Sequence, residues 1–176
     1  MTVASTAEYT LRFLGRGNNM KTCVFAGTFD PLTKGHEFVI RKCIELFDKV
    51  VVAVGVNVDK TPMFDLKARV EMIEKTFAHD KRVEVKSFNG MLVDFMKEND
   101  IAVNVRGIRD VDDYKYETNM ERYNRDMYPQ MTTLYIPTPK EMVHISSSAM
   151  RNILGLKGQV DEYVPQPVAK YIEDLK

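Results

Sequence analysis

The chain has 176 residues, of which 44% are hydrophobic and 28% charged; it can enclose one sizeable core, and its length favours a single domain over a disordered or fibrous chain. Twenty-five Lys and Arg balance twenty-five Asp and Glu, for a formal net charge of zero, so there is no broad basic field to gather nucleic acid or an anionic membrane, and any anion site must be local. The longest near-continuous apolar run, Val50 to Val56, falls far short of the roughly 20 residues needed to span a bilayer.

Residues 1–19 carry two arginines, one acidic residue and no apolar signal-peptide core. They read as a leader or appended extension outside the core, with Met20 directly before strand-like sequence. From Lys21 onward, β-branched runs alternate with segments of helical period, the pattern of a parallel sheet wrapped by helices. Strands are expected at Thr22 to Ala26, Val50 to Val56, Val83 to Ser87, Ile101 to Val105 and Thr133 to Ile136. A helix from His36 to Phe47 places Ile40, Cys43, Ile44 and Phe47 on one face, and Asp65 can cap a second that carries Leu66, Val70, Ile73 and Phe77. Met91 to Asn99, Asp110 to Met127 and the segment after Pro165 are further helices. Cys23 and Cys43 show no CxxC or metal-ligand spacing and read as small core hydrophobes in a reducing, cytoplasmic setting. The fold class is α/β: a Rossmann-like doubly wound five-stranded parallel sheet with helices on both faces, its site beyond the C-terminal strand ends.

Function should therefore be sought in the loops that follow strands. The first reads Gly27-Thr28-Phe29-Asp30-Pro31-Leu32-Thr33-Lys34-Gly35-His36, which matches neither a GxGxxG fingerprint nor a GxxxxGK[ST] phosphate loop. Gly27 allows a turn at the strand end, and Gly35 allows a phosphate to approach backbone N–H groups where the helix starts. His36 then stands at the positive end of a helix dipole, where it can donate to a phosphoryl oxygen as charge builds in a transition state. On its own, such a histidine is more often a cap. After the fourth strand comes Arg106-Gly107-Ile108-Arg109-Asp110, whose guanidinium forks suit phosphate oxygens. After the fifth, Ile145-Ser146-Ser147-Ser148 precedes another short helix; its hydroxyls can cap that helix or, with its free N–H groups, receive a polyphosphate. Lys60, in Lys60-Thr61-Pro62-Met63-Phe64, would add a point charge if it faced the same crevice.

Taken together these strings are more specific than any one alone. Thr33-Lys34-Gly35-His36 resembles the T/HxGH signature of the nucleotidyltransferase superfamily, and Ile145 to Ser148 its ISSS-type element. The extended first loop, the run from Arg106 through Asp113-Tyr114 and Tyr116 to Glu117, and Lys60 to Phe64 resemble the phosphopantetheine adenylyltransferase family, from about Lys21 to the C-terminus. The resemblance implies a single nucleotidyltransferase domain over residues 20–176 that moves AMP from ATP to 4′-phosphopantetheine, giving dephospho-coenzyme A and pyrophosphate. Mg²⁺ would arrive on the ATP phosphates, without a dedicated protein ligand. It also implies a homohexamer, a dimer of trimers, with coenzyme A as feedback inhibitor.

By the family pattern His36 stabilises the transition state, Thr28 and Lys60 hold the attacking phosphate, and Arg106 and Leu92 contact the pantetheine side. Thr28, Phe29, His36, Gly107, Ile108, Arg109, Glu117, Met142, Val143, His144, Ile145, Ser146, Ser147 and Ser148 would contact ATP. Met142-Val143-His144 replaces aromatic-containing residues of some members, which leaves adenine to backbone contacts there. Nicotinamide mononucleotide adenylyltransferases and glycerol phosphate cytidylyltransferases share the Gly-His helix start; the Arg106 to Glu117 run and Lys60 to Phe64 favour the pantetheine enzyme.

Overall fold

The structure, a computed structural model, describes residues 20–56 and 61–175; the expected leader at residues 1–19 and Lys60 lie outside the described residues. Strands β1 (Thr22–Gly27), β2 (Lys49–Val56), β3 (Val83–Asn89), β4 (Val103–Ile108) and β5 (Thr132–Pro137) form one sheet in the order β3-β2-β1-β4-β5. Every neighbouring pair is parallel. Between and after them run α1 (Lys34–Leu46), α2 (Leu66–Phe77), α3 (Leu92–Glu98), α4 (Val111–Met127), a 3-10 turn (Lys140–Met142), α5 (Ser147–Gly155) and α6 (Gln166–Glu173).

Strand periodicity divides the core between the two faces of the sheet. Cys23 and Phe25 of β1, with Val50, Val52 and Val54 of β2, pack in one cluster with Ile40 of α1, Met72 of α2 and Val168 of α6. Their neighbours Val24, Ala26, Val51 and Ala53 pack in a second cluster with Val93 and Met96 of α3. A strand buried on both faces needs a near-continuous apolar run, which is why Val50 to Val54 has no polar alternation. Cys23 and Cys43 are free thiols within the first cluster. Thr33 and Asp65 cap α1 and α2, and the Asp65 carboxylate accepts the Ala68 N–H at 2.7 Å. Helix α4 differs from the others: none of its 17 residues is buried.

The expected fourth strand needs correction. Ile101 is buried but lies before the strand, its N–H bonded to the Met96 carbonyl. β4 runs instead to Ile108, because β5 continues far enough to pair Arg106 with Tyr135, Gly107 with Ile136 and Ile108 with Pro137. Arg106 and Gly107 are therefore strand residues with a rigid backbone, and the loop proper begins at Arg109.

The chain leaves β1 toward β2 on one side and later returns to β4 on the other, so a crevice opens between the C-terminal ends of β1 and β4, where the winding reverses. Gly107 belongs to its wall: a Cβ there would lie 2.9 Å from Val39 Cγ2 on α1. Gly107→Ala must displace Val39 and with it α1, three residues beyond His36. The expected loss is about 1–3 kcal/mol of stability by chemical or thermal denaturation; an unchanged midpoint would show that α1 is not seated this closely on β4.

Candidate active site

A cavity of about 620 Å³ occupies that crevice. Of the residues expected from sequence, Thr28, His36, Arg106, Gly107, Arg109, Glu117, Ile145, Ser146, Ser147 and Ser148 line it. The others are placed elsewhere. Phe29 is buried behind His36, ring edge to ring face at 5.1 Å between centroids. Leu92 opens α3 and packs against the second core cluster. Ile108 closes β4 and its carbonyl accepts the Thr138 N–H. Met142 ends the 3-10 turn, Val143 follows it, and the His144 ring meets Tyr163 edge-on at 5.9 Å.

His36 is the third residue of α1, and its ring and Thr33 cap the helix reciprocally. The Thr33 hydroxyl accepts the His36 N–H at 3.4 Å, while the Thr33 N–H donates to His36 Nδ1 at 3.1 Å. This is a capping box with imidazole in the place usually held by Glu or Gln. The cap also decides the tautomer: a nitrogen that receives an N–H has no proton in the neutral ring, so the proton resides on Nε2. Burial, helped by Arg109 and then Arg106, pushes the ring's pKa down from 6.5 to about 4, so at neutral pH His36 is an uncharged donor through Nε2. Phe29 adopts a left-handed backbone, φ 49, next to this ring. Its ring also explains Gly27, where a Cβ would come within 3.1 Å of the Phe29 ring.

Two guanidinium groups face the cavity in fixed orientations. Arg106 donates through Nη1 to the Ala26 carbonyl at 2.6 Å and through Nε and Nη2 to both carboxylate oxygens of Glu117. Arg109 donates through Nε and Nη2 to both oxygens of Asp113, at 2.8 and 2.9 Å. The Arg109 hydrogen bonds hold the Asp113 carboxyl below its usual range and raise the guanidinium correspondingly. Asp113 and Glu117 are one turn apart on α4; the Glu117 pair fastens to β4 a helix none of whose residues is fully buried, and the Asp113 pair ties the same helix to the loop before it. The serines split their duties: Ser146 caps α5 by accepting the Ala149 N–H, Ser147 donates to the Pro31 carbonyl, and Ser148 accepts from Arg151. Capping and cavity lining therefore coexist in one triplet.

Asp30, Arg69 and Arg151 also line the cavity, without having been assigned a role from sequence. For Arg69 the available signal is a charge on the apolar stripe of α2, beside Ala68, Met72 and Ile73, all buried. Arg151 stands three residues beyond the last serine, where it donates to the Asp30 carbonyl.

An imidazole at a helix start, two oriented guanidinium groups and a serine-rich second helix start are gathered at the switch point of a parallel sheet, the arrangement expected from sequence for a nucleotidyltransferase. The Cytidylyltransferase-like family model matches residues 24–153. A solved structure described as a nicotinate-nucleotide adenylyltransferase of Vibrio parahaemolyticus shares the fold, with TM-score 0.67, 17% identity, and coverage of 89% of this chain and 93% of that one. Phosphopantetheine adenylyltransferases are much nearer in sequence. That of Clostridium perfringens is 39% identical over 88% of this chain and 94% of its own length. Those of Nautilia profundicola and Bordetella avium are 40% and 41% identical, over 84% and 88% of this chain and 96% and 92% of their own lengths. The chain belongs to the phosphopantetheine adenylyltransferase family.

Proposed function

We propose that this chain transfers the adenylyl group of ATP to 4′-phosphopantetheine, yielding dephospho-coenzyme A and pyrophosphate. The observation that carries the reading is the convergence of Thr28, His36, Arg106, Arg109 and Ser146 to Ser148 on one cavity. An oxygen of the acceptor phosphate attacks the α-phosphorus in line; the bond to the bridging oxygen breaks, and pyrophosphate leaves. The acceptor is already anionic, so no protein nucleophile is needed, and the chain's residues align the reactants and offset charge. His36 Nε2–H donates to the phosphoryl group as charge accumulates on it. Arg109 and the start of α5 receive the polyphosphate, while Thr28, Arg106 and Lys60 take the acceptor phosphate, with Leu92 toward the pantetheine arm. Phe29 backs the His36 ring, and Gly107, Ile108, Glu117 and the stretch from Met142 to Ile145 border the nucleotide.

Mg²⁺, when bound, would neutralise phosphate charge. By the family resemblance it would travel on the ATP phosphates. Among the described residues no helix is long and apolar enough to cross a membrane. A cytoplasmic location, a hexameric assembly and competition by coenzyme A complete the proposal on the strength of the family resemblance.

The direct test is incubation of the purified protein with ATP, Mg²⁺ and 4′-phosphopantetheine, with mass detection of dephospho-coenzyme A. Parallel pyrophosphate assays use ATP or CTP with nicotinamide mononucleotide or glycerol phosphate; activity confined to one of those acceptors would overturn the reading.

The neutral imidazole has a signature of its own. Because His36 is pushed to about 4, kcat/KM should show no inflection from this ring between about pH 8 and about pH 5.5. For stability the sign follows from proton counts. Between 4 and 6.5 the unfolded chain protonates this histidine and the native one does not. The contribution of His36 is thus fully present above 6.5 and declines as pH falls through that window. An inflection near 6.5 that disappears in His36→Asn would show that the ring titrates normally.

A further inference from the structure

The β1–α1 loop and the segment entering α2 are tied together by two buried charges that nothing in the reaction scheme above uses. Asp30 is 5% exposed, and its carboxylate accepts the N–H of Met63 at 3.0 Å and that of Phe64 at 2.9 Å. Arg69 is 3% exposed and directs its guanidinium to three main-chain carbonyls, those of Phe64 at 3.1 Å, Thr28 at 2.7 Å and Gly55 at 3.2 Å. Phe64 is therefore gripped at its N–H by an anion from one loop and at its C=O by a cation from the following helix. The same cation ties down the carbonyl of Thr28 and the end of β2.

A buried cation that directs its hydrogen bonds to carbonyls rather than to a carboxylate is an expensive way to fill a helix stripe, and an apolar side chain beside Met72 and Ile73 would be less costly. What it achieves is geometry. Three separate stretches of chain, the end of β1, the end of β2 and the entry to α2, meet at one planar fork whose donor spacing is fixed. Two of those segments present Thr28 and Thr61-Pro62 to the cavity.

We propose that Asp30 and Arg69 are positioning residues that fix the acceptor side of the cavity, setting Thr28 against the Thr61–Phe64 segment so that the phosphate of the pantetheine substrate is seated for attack. This rests on the reading of the site given above. Neither residue touches reacting atoms in this scheme; both act through the backbone of the residues that do. Holding that backbone in advance removes ordering that acceptor binding would otherwise require.

The test compares wild type with Arg69→Lys, which keeps the charge but offers one nitrogen where the fork spans three carbonyls, and with Asp30→Asn, which keeps the shape but places an amide donor against a backbone N–H. Initial rates are measured with each substrate varied in turn, together with calorimetric ATP binding and thermal unfolding. KM for 4′-phosphopantetheine should rise about tenfold or more in both variants, while KM and Kd for ATP stay within about threefold. Equal shifts for the two substrates, a fall in kcat with both KM values unchanged, or unaltered kinetics would each overturn the proposal. So would loss of cooperative unfolding in both variants, which would make the brace a requirement for folding alone. Wild-type protein that forms no dephospho-coenzyme A removes the reading of the site and this inference with it; an active wild type with any of the preceding outcomes removes the inference only.

Discussion

His36→Ala should lower kcat by about a hundredfold or more, on the order of 3 kcal/mol, while Kd for ATP stays within about threefold. The asymmetry follows from where the ring is. Its Nδ1 is occupied by the Thr33 N–H, so Nε2–H is the group available to the phosphoryl oxygen, and a donor aimed at developing charge acts mainly in the transition state. On the proposed division of the site, ground-state ATP would keep Arg109 and the start of α5. Alanine also removes half of the capping box: the Thr33 hydroxyl still accepts the backbone N–H of residue 36, but the Thr33 N–H is left without its partner, so a loosened helix start contributes to the loss. His36→Asn separates the two contributions, because its side-chain oxygen can take the Thr33 N–H while its amide is too short to reach as imidazole does. Turnover should stay low in the asparagine variant while thermal stability returns toward wild type. Pyrophosphate release and ATP calorimetry on both variants check this; near-normal turnover of His36→Ala would remove the histidine from the chemistry.

Arg106→Ala is expected to raise KM for 4′-phosphopantetheine about thirtyfold or more, with a smaller effect on ATP. Two things are lost together. The cavity loses a cation held by the Ala26 carbonyl and Glu117, and the Glu117 carboxylate, with a side chain only 15% exposed, is left without its ion-pair partner. An unpaired carboxylate beside an anion site repels the ligand as well as failing to attract it. The double variant Arg106→Ala/Glu117→Gln removes that repulsion and should recover part of the loss. If ATP and phosphopantetheine weaken equally in the double variant, the division of the cavity into a nucleotide side and an acceptor side is wrong.

Which parts of this could be read from sequence follows from how far apart in the chain the interacting groups are. The alternation of apolar runs and amphipathic segments revealed the order of strands and helices, and the caps Thr33, Asp65 and Ser146 lie next to the helices they start. His36 and the serines were legible because their signals are contiguous. The end of β4 was not: Ile101 and Ala102 look like strand residues, and only pairing with β5 shows that Arg106 to Ile108 still belong to the sheet. The Arg106–Glu117 pair joins a residue that the sequence places on the acceptor side to one that it places on ATP, because a sequence holds no angle between a strand and the helix after it. Arg69 reaches Thr28 across a separation of 41 residues and Asp30 reaches Phe64 across 34. No local pattern encodes such contacts, although an arginine amid Ala68, Met72 and Ile73 marks a departure from simple amphipathicity.

The carboxylates that tie α4 to the end of β4 and to the loop after it also bear on product release. Arg106 and Arg109 are held in bidentate pairs by Glu117 and Asp113, so their side chains are ordered when the protein folds, and an incoming phosphate encounters forks already in place. Those acidic partners simultaneously dilute the local positive potential, since each cation that lines the cavity is paired with a carboxylate that lines it too. The site is thereby stiff without being strongly adhesive. Pyrophosphate, more highly charged than the disubstituted diphosphate of the dephospho-coenzyme A left behind, should therefore leave more readily than it would from the same cations without their counter-charges.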